Sequence, residues 1–457
     1  MNVNNYNNYF FIGIGGTGMS AIAQYLKGIG KNVSGSDRQF TKTKKGEREK
    51  QLNNEGIATF NQDGSGIDSN VEVIVVSTAV EDNNVEYQKA IQLKIPIVHR
   101  ADLLAAISRT KKTVAVSGTS GKSTTSAMIY HIMEQSGQPI SFIGGAGLIS
   151  LQKKGRIGNA IAEKSDWLVI EADESDGSLV KYEPEIGIIL NIDKDHKELD
   201  ELEEIFGIFK RNTKGKVIVN QSHQRTKPFS QNPGFDFGLD HDCGFNATDF
   251  HKNGFNISFK INKIPFEIPC LGRHNMENAL AAVAACFQMG VGIEAAASAL
   301  NSYEGIYRRH QLIGKPQGIY IIDDYAHNPA KLAASIQACQ FIDSKLIVWF
   351  QPHGYKPTRF LRSEFVGEIV KTLREEDEIW MSEIYYAGGT ATKDISANDL
   401  IEDIKEAHKN AFFIENREDL PGKVFSKLKS GDVLLLTGAR DPSLEEFAGF
   451  VFEKFEK

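Results

Sequence analysis

The residues of this chain that are best suited to chemistry lie in the segment 113–125, which reads Thr-Val-Ala-Val-Ser-Gly-Thr-Ser-Gly-Lys-Ser-Thr-Thr. Its apolar, β-branched start predicts a strand, and the residues after the second glycine predict a helix. Gly118 and Gly121 would let backbone N–H groups surround a phosphate, Lys122 would add a positive charge, and the Ser123 hydroxyl could bind Mg²⁺. The segment therefore predicts a site for nucleotide phosphates.

This loop is shorter than a complete P-loop, because Val116 stands where the full pattern has another glycine. An ordinary strand-to-helix turn with a surface lysine would also fit these residues. The strand before the loop and the helix after it favour phosphate binding. The predicted cradle comprises the loop and the first helical turn: Gly118, Thr119, Ser120, Gly121, Lys122, Ser123 and Thr124.

Carboxylates follow two further apolar strands. The predicted strand Trp167–Ile170 runs into Glu171-Ala-Asp-Glu-Ser-Asp176, and Ile186–Leu190 runs into Asn191-Ile-Asp-Lys-Asp-His196. Because Mg²⁺ prefers carboxylate oxygens and retains water, the first cluster predicts a magnesium site beside the P-loop. A solvated acidic turn is the alternative. His196 is a candidate for a second metal or for phosphate contact, although a lone histidine is more often structural.

The N-terminal region carries a second glycine turn, Gly13-Ile-Gly-Gly-Thr-Gly18, between a predicted strand and a predicted helix. Asp37 follows about twenty residues later at the end of the next strand, which completes a dinucleotide-binding fingerprint. The strand Val71–Val76 ends in Ser77-Thr78-Ala79, at the position where open parallel sheets bind ligands. Taken alone, this region would fit an NAD(P)-dependent oxidoreductase or a closely packed structural turn equally well.

A polar stretch dotted with aromatic residues, 221–268, predicts short antiparallel strands that serve as covering structure. It precedes a predicted helix from Gly272 to Met289, which carries Asn275 and Asn278 on one face of its first turn. Their amides could hold a base or a phosphate. For Asn275, a plain helix cap is an equally good explanation.

The composition excludes several classes of protein. The net charge is −7 and no basic block occurs, which argues against nucleic acid as the main partner. The four cysteines are scattered without metal-like spacing, so neither a disulfide framework nor a zinc site is indicated, and the cytosol is the expected compartment. We find no signal-peptide pattern at the N-terminus and no apolar run that approaches the length of a membrane span.

Strands alternate with helices along most of the chain, which predicts parallel, right-handed, doubly wound sheets. The length of 457 residues suggests roughly three domains. We therefore predict an α/β protein of three domains, each a mainly parallel doubly wound sheet, Rossmann-like at both ends and P-loop ATPase-like in the centre. The predicted domains are 1–110, 111–313 and 314–457, with a basic linker at 108–112. The strands of the last domain deliver three polar segments: Asp323-Asp-Tyr-Ala-His-Asn-Pro329, Gln351-Pro-His-Gly-Tyr355 and Thr437-Gly-Ala-Arg-Asp-Pro442.

Together these motifs resemble those of the Mur ligases of peptidoglycan synthesis, most closely the members that join L-alanine to UDP-N-acetylmuramate. The resemblance runs through the whole chain, and the order and spacing of the motifs make it specific. The motifs are, in order, Gly13-Ile-Gly-Gly-Thr-Gly-Met-Ser20, Gly35-Ser-Asp37, Ser117-Gly-Thr-Ser-Gly-Lys-Ser-Thr124, Glu171-Ala-Asp-Glu-Ser-Asp176, Asn191 to His196, Gly272-Arg-His-Asn275, Arg308-Arg309, Asp323-Asp-Tyr-Ala-His327 and Phe350-Gln-Pro-His353.

The resemblance implies a division of labour among the domains. The N-terminal domain would bind UDP-N-acetylmuramate rather than NAD, the central domain ATP and Mg²⁺, and the C-terminal domain an amino-acid or peptide acceptor. All partners would be small molecules, and the chain would act as a monomer or homodimer. Lys122 would contact the β- and γ-phosphates, Ser123 and Glu171 would bind one Mg²⁺, and His196 a second. The implied nucleotide-site residues from later in the chain are Asn275, Asn278, Arg309 and Asp324.

Two further sets of residues follow from the same resemblance. The implied UDP-sugar site consists of Gly15, Gly16, Thr17, Gly18, Met19, Ser20, Asp37, Ser77, Thr78 and Ala79. The implied acceptor site consists of His327, His353 and Tyr355.

The chain departs from the alanine-adding pattern at several positions. Ser120 and Ser123 replace the histidine and the threonine of Gly-Thr-His-Gly-Lys-Thr, and Gly354 replaces the arginine of Pro-His-Arg-Tyr. The segment 326–329 reads Ala-His-Asn-Pro instead of Gly-His-His-Pro, and the segment 438–444 differs as well. Because these changes cluster in the acceptor domain, the ligase class is better supported than the acceptor.

Several alternatives therefore stay open. Within the family, the chain could be a recycling ligase that adds a preformed peptide, or a paralogue with another acceptor. A catalytically silent sugar-nucleotide binder would not need Lys122 or Glu171. Whether a lysine such as Lys210 is carbamylated, as in some sister ligases, is not decided by the sequence.

Overall fold

The structure, a computed structural model, describes residues 2–40, 46–175, 177–193, 198–239, 242–342, 344–386, 392–407 and 409–456. The chain forms two compact units. The first unit comprises Met1–Phe250, Ser258–Pro269 and Arg273–Ile306, and the second comprises His251–Ile257, Cys270–Gly272 and Tyr307–Lys457. Among the helices in these described ranges, none is long and apolar enough to cross a membrane.

The first unit begins with a five-stranded parallel sheet of order β3-β2-β1-β4-β5. Its middle strand and one neighbour, β1 and β4, are largely apolar on both faces, as expected where helices cover both sides of a sheet. The strands are β1 (Asn8–Ile12), β2 (Asn32–Asp37), β3 (Ala58–Asn61), β4 (Val73–Val76) and β5 (Ile97–His99). The helices are α1 (Thr17–Gly28), α2 (Glu47–Asn54), α3 (Val85–Gln92) and α4 (Arg100–Ser108).

A six-stranded sheet of order β11-β10-β6-β9-β7-β8 follows in the same unit. It is parallel except for its edge strand β8, which runs antiparallel to β7. The strands are β6 (Lys112–Ser117), β7 (Ser141–Ile143), β8 (Ala160–Ile161), β9 (Trp167–Glu171), β10 (Ile186–Ile189) and β11 (Lys216–Val219). The helices are α5 (Lys122–Gln135), α6 (Ile149–Gln152) and α7 (Leu199–Asn212).

These two sheets share one hydrophobic core cluster, which includes residues of α1, β6 and β9. A buried polar bridge joins them as well: Asn159 Nδ2 donates to Thr17 O at 2.8 Å, and Gln24 Nε2 donates to Asn159 Oδ1 at 2.6 Å. The segment 108–112, predicted as a linker, is a tight turn in which Thr110 N–H donates to Ile107 O at 2.9 Å and Ser108 is buried. The shared core explains why no flexible linker is needed here.

A four-stranded sheet of order β12-β13-β14-β15 corresponds to the predicted covering strands. Two-residue turns join β13 to β14 and β14 to β15, which makes those pairs antiparallel hairpins. The pairing of β12 with β13 is parallel, contrary to the prediction. The strands are β12 (Phe237–Leu239), β13 (Phe245–Asn253), β14 (Asn256–Ile261) and β15 (Ile264–Ile268), and the helices that follow are α8 (Arg273–Gln288) and α9 (Ile293–Leu300).

The second unit contains a six-stranded sheet of order β16-β17-β21-β18-β19-β20, parallel except for β16. Two core clusters contain buried residues of this sheet. The strands are β16 (Gln311–Gly314), β17 (Tyr320–Asp324), β18 (Leu346–Gln351), β19 (Glu378–Met381), β20 (Asn410–Phe413) and β21 (Val433–Gly438). The helices are α10 (Pro329–Gln340), α11 (Tyr355–Phe360), α12 (Arg362–Thr372), α13 (Ala397–Glu406), α14 (Leu420–Val424) and α15 (Leu444–Glu456).

The predicted fold class, α/β with three mainly parallel sheets, is confirmed. The predicted domain boundaries stay predictions.

Candidate active site

Three neighbouring strands of the central sheet end at the same edge. β6 lies between β10 and β9, with Val116 paired to Ile188 on one side and to Glu171 on the other. Val116 therefore belongs to the strand, and the loop that follows spans only residues 118–121 before α5 begins at Lys122. The register brings the P-loop, Glu171 and Asn191 to one edge of this sheet.

Asn191 holds the P-loop in shape. Its Oδ1 accepts hydrogen bonds from Thr119 Oγ1 and from Ser120 N–H, both at 2.8 Å, while its Nδ2 donates to Ser120 O at 3.1 Å. Thr119 N–H also donates to Asn191 O at 3.2 Å. The Asn191 side chain thus satisfies both the N–H and the C=O of Ser120, in a loop without regular backbone hydrogen bonds of its own.

Lys122, the first residue of α5, is held by a carboxylate from the acidic turn. Its Nζ donates to Glu174 Oε2 and to Gly118 O, each at 2.7 Å, and lies 3.7 Å from Asp173 Oδ1. Burial raises the pKa of Glu174, and the Lys122 charge opposes that rise. The pKa of Asp173 is lowered: burial would raise it, but the Lys122 charge and hydrogen bonds from Ser175 outweigh that effect. An ammonium group has three N–H donors, so one remains for a phosphate.

Ser123 and Glu171 form a pair of hard oxygen ligands. Ser123 Oγ donates to Glu171 Oε2 at 2.9 Å, and Gly145 N–H donates to Glu171 Oε1 at 2.5 Å. In the described part of the chain, no group of three or more His, Cys, Asp or Glu side chains could hold a metal. One carboxylate and one hydroxyl, completed by substrate phosphates and water, nevertheless suit Mg²⁺, which seldom uses all-protein cages.

The N-terminal part of α8 packs against the P-loop. Asn278 Oδ1 accepts a hydrogen bond from Thr125 Oγ1 at 3.3 Å, and Asn278 Nδ2 donates to Asn275 Oδ1 at 3.0 Å. A Cβ atom on Gly121, whose φ is +86°, would lie 2.4 Å from Asn278 Oδ1. Asn275 lies inside α8, so it is not the N-cap residue of that helix. The structure thus brings both predicted asparagines to the P-loop side of the helix.

Three further residues named in the sequence analysis are Thr124, His196 and Lys210. Thr124 lies in the first turn of α5. His196 falls outside the described residues, so the second metal position stays a prediction. Lys210 Nζ donates to Pro228 O and Ser230 O, each at 3.4 Å.

The N-terminal glycine turn is anchored by the end of β2. Gly15 N–H donates to Asp37 Oδ2 at 3.0 Å, and Gly13 N–H donates to Ser36 O at 2.8 Å. Ser36 Oγ in turn donates to Glu86 Oε2, and burial raises the pKa of Glu86 to about 7. The side chain of the predicted acidic residue Asp37 therefore holds the glycine turn in place by accepting a hydrogen bond from the backbone of the turn.

The remaining UDP-sugar residues divide into an open set and a packed set. Ile12 of β1 pairs with Val76 of β4, so the glycine turn and the segment 77–79 leave the sheet at the same edge, where Thr78 and Ala79 are exposed. Met19 and Ser20 are buried within α1, and Ser20 Oγ donates to Thr17 O at 3.0 Å. These two residues are therefore packed inside the helix that follows the glycine turn. Gly16 precedes α1 as its N-cap, and Gly18 packs beside the Arg100 side chain.

In the second unit, Arg308 and Asp323 form a buried ion pair with an Nε–Oδ2 distance of 2.8 Å, and Arg308 Nη2 donates to Gly438 O at 2.9 Å. Asp324 accepts hydrogen bonds from the N–H groups of His310 at 2.8 Å and of Ala326 at 2.9 Å. The predicted site residue Arg309 is exposed. The structural role of its neighbour Arg308, as the buried partner of Asp323, was not predicted from the sequence.

The predicted acceptor residues His327 and His353 meet, with ring centroids 5.7 Å apart. His327 Nδ1 lies 2.8 Å from Tyr325 O, so this nitrogen is the N–H donor. Burial lowers the pKa of His353 to about 4, with help from His327 and the Arg440 charge. Tyr355 is buried at the start of α11, and its ring lies 5.8 Å from that of Tyr386.

Asn191 and Glu174 are the residues of the central site that the sequence analysis left out of the predicted set. Both lie inside motifs that the resemblance quoted, Asn191 to His196 and Glu171 to Asp176. Their position at the exits of strands beside the P-loop strand was the available signal.

Comparisons with known proteins match this architecture. Three family models cover most of the chain: "Mur ligase family, catalytic domain" at residues 8–112, "Mur ligase middle domain" at 116–286, and "Mur ligase, glutamate ligase domain" at 308–440. The UDP-N-acetylmuramate–L-alanine ligase of Carboxydothermus hydrogenoformans is 34% identical over 94% of this chain and 93% of its own length. That of Bdellovibrio bacteriovorus is 34% identical over 95% of this chain and 96% of its own length.

Solved structures agree. The UDP-N-acetylmuramate-alanine ligase of Thermotoga maritima is similar with a TM-score of 0.79 and 26% identity, covering 98% of this chain and 99% of that one. A murein peptide ligase of Psychrobacter arcticus shares the fold, with a TM-score of 0.64 and 20% identity over 98% of this chain and 99% of that one. The oxidoreductase alternative is thereby excluded, and the chain belongs to the Mur ligase family.

Proposed function

We propose that the protein is an ATP- and Mg²⁺-dependent ligase that joins L-alanine to UDP-N-acetylmuramate through an acyl-phosphate intermediate. The observation that carries this proposal is the P-loop with Ser123 and Glu171 already paired at 2.9 Å beside it. Relatives that are about one-third identical over nearly their whole length are named as ligases for these substrates.

The reaction requires activation of a carboxylate. The sugar carboxylate oxygen attacks the γ-phosphorus of ATP and ADP leaves; the acceptor amine then attacks the acyl carbon, and phosphate leaves as the amide forms. Such transfers depend on positioning and on neutralisation of charge. The residues around the P-loop supply both.

Each of these residues has a role that follows from its contacts. Asn191 fixes the loop through its hydrogen bonds with the backbone of Thr119 and Ser120, and Lys122 keeps one N–H free for a phosphate. Ser123 and Glu171 would hold Mg²⁺, which when bound neutralises phosphate charge. Asn278 keeps Gly121 and the start of α5 in place.

The remaining parts of the proposal rest on chemistry and family. The substrates are small molecules, the expected compartment is the cytoplasm, and the chain acts as a monomer or homodimer. Two acceptor alternatives, a preformed peptide and another amino acid, are tested directly by the assay below.

The experiment is phosphate release with ATP, Mg²⁺ and UDP-N-acetylmuramate across a panel of amino acids and short peptides. L-alanine should give the highest kcat/KM, and Lys122→Ala should abolish release with every acceptor. A preformed peptide as the best acceptor would identify the recycling ligase instead. No release with any acceptor would refute the proposed function.

A further inference from the structure

Asn159, the residue before the short edge strand β8, lies where the first two sheets of the first unit meet. It is only 1% exposed, and its side chain binds helix α1. Asn159 Nδ2 donates to Thr17 O at 2.8 Å and to Ser20 Oγ at 3.2 Å. Its Oδ1 accepts a hydrogen bond from Gln24 Nε2 at 2.6 Å. Because Thr17 begins α1 directly after the glycine turn, the Asn159 side chain fixes the start of the helix beside the predicted UDP-sugar site.

The backbone of Asn159 contacts the turn that orients Glu171. Gly144 N–H donates to Asn159 O at 2.8 Å, which continues the antiparallel pairing of β7 with β8. The N–H of the next residue, Gly145, donates to Glu171 Oε1 at 2.5 Å. A Cβ atom on Gly145 would lie 2.9 Å from Glu171 Oε2, so the turn and the carboxylate are in close contact. Asn159 is therefore bonded both to the glycine-turn helix and to the turn beside the predicted Mg²⁺ ligand.

A second hydrogen bond holds the same segment. Ile157 N–H donates to Glu55 Oε1 at 3.1 Å, and Glu55 is the C-cap residue of α2, a helix of the first sheet. The hydrophobic core that the two sheets share is not directional, whereas hydrogen bonds require a definite distance and angle. The segment 157–159 therefore supplies directional contacts that a shared core does not provide.

Transfer of the γ-phosphoryl group requires the attacking carboxylate oxygen to lie close to the phosphorus and in line with the leaving group. We propose that Asn159 is a positioning residue for this step, because it fixes the UDP-sugar glycine turn relative to the turn that orients Glu171. The inference rests on the proposed ligase function and assigns a role that does not involve contact with either substrate. Each substrate should then bind without the Asn159 amide, while the transfer between them should be slow.

The test is Asn159→Ala, which removes the three side-chain hydrogen bonds to α1 and keeps the backbone bond to Gly144. With ATP, Mg²⁺, UDP-N-acetylmuramate and L-alanine, kcat for phosphate release should fall about 10- to 100-fold. The KM values for ATP and for UDP-N-acetylmuramate should stay within about threefold of wild type. Single-turnover measurements should show that the slow step is phosphoryl transfer.

Asn212→Ala is the matched control. Asn212 is the last residue of α7 in the same unit, and its Nδ2 donates to Val180 O at 2.8 Å, the same kind of bond at the same length as that from Asn159 to Thr17 O. Its loss should lower the urea midpoint but leave kcat within about twofold of wild type. A purely structural role for Asn159 would give this same pattern.

Gln24→Leu is a second variant, and it is chosen because it should fold. Gln24 Oε1 is buried and has no hydrogen-bond partner among the described residues, so an apolar side chain of similar size should be tolerated. The variant removes the bond to Asn159 Oδ1 but keeps the bond from Asn159 to Thr17 O. We therefore expect a smaller fall in kcat, about 3- to 10-fold, again with little change in KM.

Three results would overturn the inference. The first is a kcat for Asn159→Ala within about twofold of that for Asn212→Ala, and the second is a loss that lies in the KM for ATP or UDP-N-acetylmuramate and not in kcat. If Asn159→Ala did not fold, Gln24→Leu would decide alone, and an unchanged kcat there would be the third. These outcomes leave wild-type activity intact, whereas wild type that released no phosphate with any acceptor would refute the proposed function itself.

Discussion

Gly121→Ala is the substitution that probes most directly how the P-loop is built. Gly121 has a φ of +86°, and a Cβ atom there would lie 2.4 Å from Asn278 Oδ1. The side chain of Asn278 would have to move. Its hydrogen bonds with Thr125, at 3.3 Å, and with Asn275, at 3.0 Å, would then be lost.

The cost has two parts. An alanine in the left-handed region costs about 1–2 kcal/mol. Each of the two lost hydrogen bonds costs about 1 kcal/mol. Gly121→Ala should therefore lower the free energy of unfolding by about 3–4 kcal/mol. ATP affinity should fall about tenfold or more, because α5 begins at the next residue and the cradle N–H groups shift with it.

The matched control is Gly137→Ala. Gly137 has a φ of +70°, but a Cβ atom there would have nothing within 4 Å. The free energy of unfolding of this variant should fall by only about 1–2 kcal/mol, from the strained backbone alone, and the variant should bind ATP normally. Equilibrium urea unfolding followed by circular dichroism gives the free energies, and calorimetric titration gives the ATP affinity.

A double-mutant cycle isolates the contact itself. In an Asn278→Ala background the two hydrogen bonds are already gone, so Gly121→Ala should cost only about 1–2 kcal/mol. Equal destabilisation by Gly121→Ala and Gly137→Ala, or strict additivity in the cycle, would refute the reasoning. Normal ATP affinity in Gly121→Ala would refute the link to the phosphate cradle.

Three further outcomes are expected. In thermal melts, UDP-N-acetylmuramate at 100 times its Kd should stabilise the protein by about 2.7 kcal/mol through mass action, whereas a comparable shift with NADPH and none with the UDP-sugar would contradict the site assignment. Lys122→Ala should abolish ATP-dependent turnover but keep the UDP-sugar shift, and loss of that shift would show that the two sites are not separate. The folded pKa of Glu86, about 7, lies above its ordinary 4.5, so stability should fall as pH rises between these values, by up to about 3 kcal/mol. Glu86→Gln should flatten this slope in urea titrations at several pH values, and an unchanged slope would count against a buried neutral carboxyl.

The parts of the fold with strong local patterns could be predicted from the sequence. β6 and α5 follow from an apolar run and a glycine turn, and the edge where β6, β9 and β10 end follows from the rule that parallel sheets bind ligands there. The α/β class needed only the alternation of strands and helices. These features are encoded within short windows.

The features that the sequence did not reveal depend on contacts between distant residues or on very short elements. Asn278 lies against Gly121 although the two are more than 150 residues apart in the sequence, and no local sequence pattern predicts such a contact. Edge strand β8 has two residues, too few to show a period. The first two sheets also share one hydrophobic core, so the segment 108–112 is a tight turn and not the predicted linker.

The Arg308-Arg309 pair shows a third limit. Outside a helix or a strand the sequence has no hydrophobic periodicity, so it does not show which of two adjacent arginines is buried. Arg308 and His310 both have a positive φ, of +52° and +45°, and Arg308 is the buried partner of Asp323. Sequence reasoning selected Arg309, which is exposed; its proposed role at the nucleotide site stays a prediction.

The central claim is that the P-loop drives transfer of the γ-phosphoryl group to the carboxylate of the sugar nucleotide before the amide forms. The most direct measurement uses UDP-N-acetylmuramate labelled with ¹⁸O in both oxygens of that carboxylate, together with ATP, Mg²⁺ and L-alanine. Mass spectrometry of the products should find one ¹⁸O atom in the released phosphate for each amide formed. Unlabelled phosphate, or phosphate released without the amide, would contradict the account.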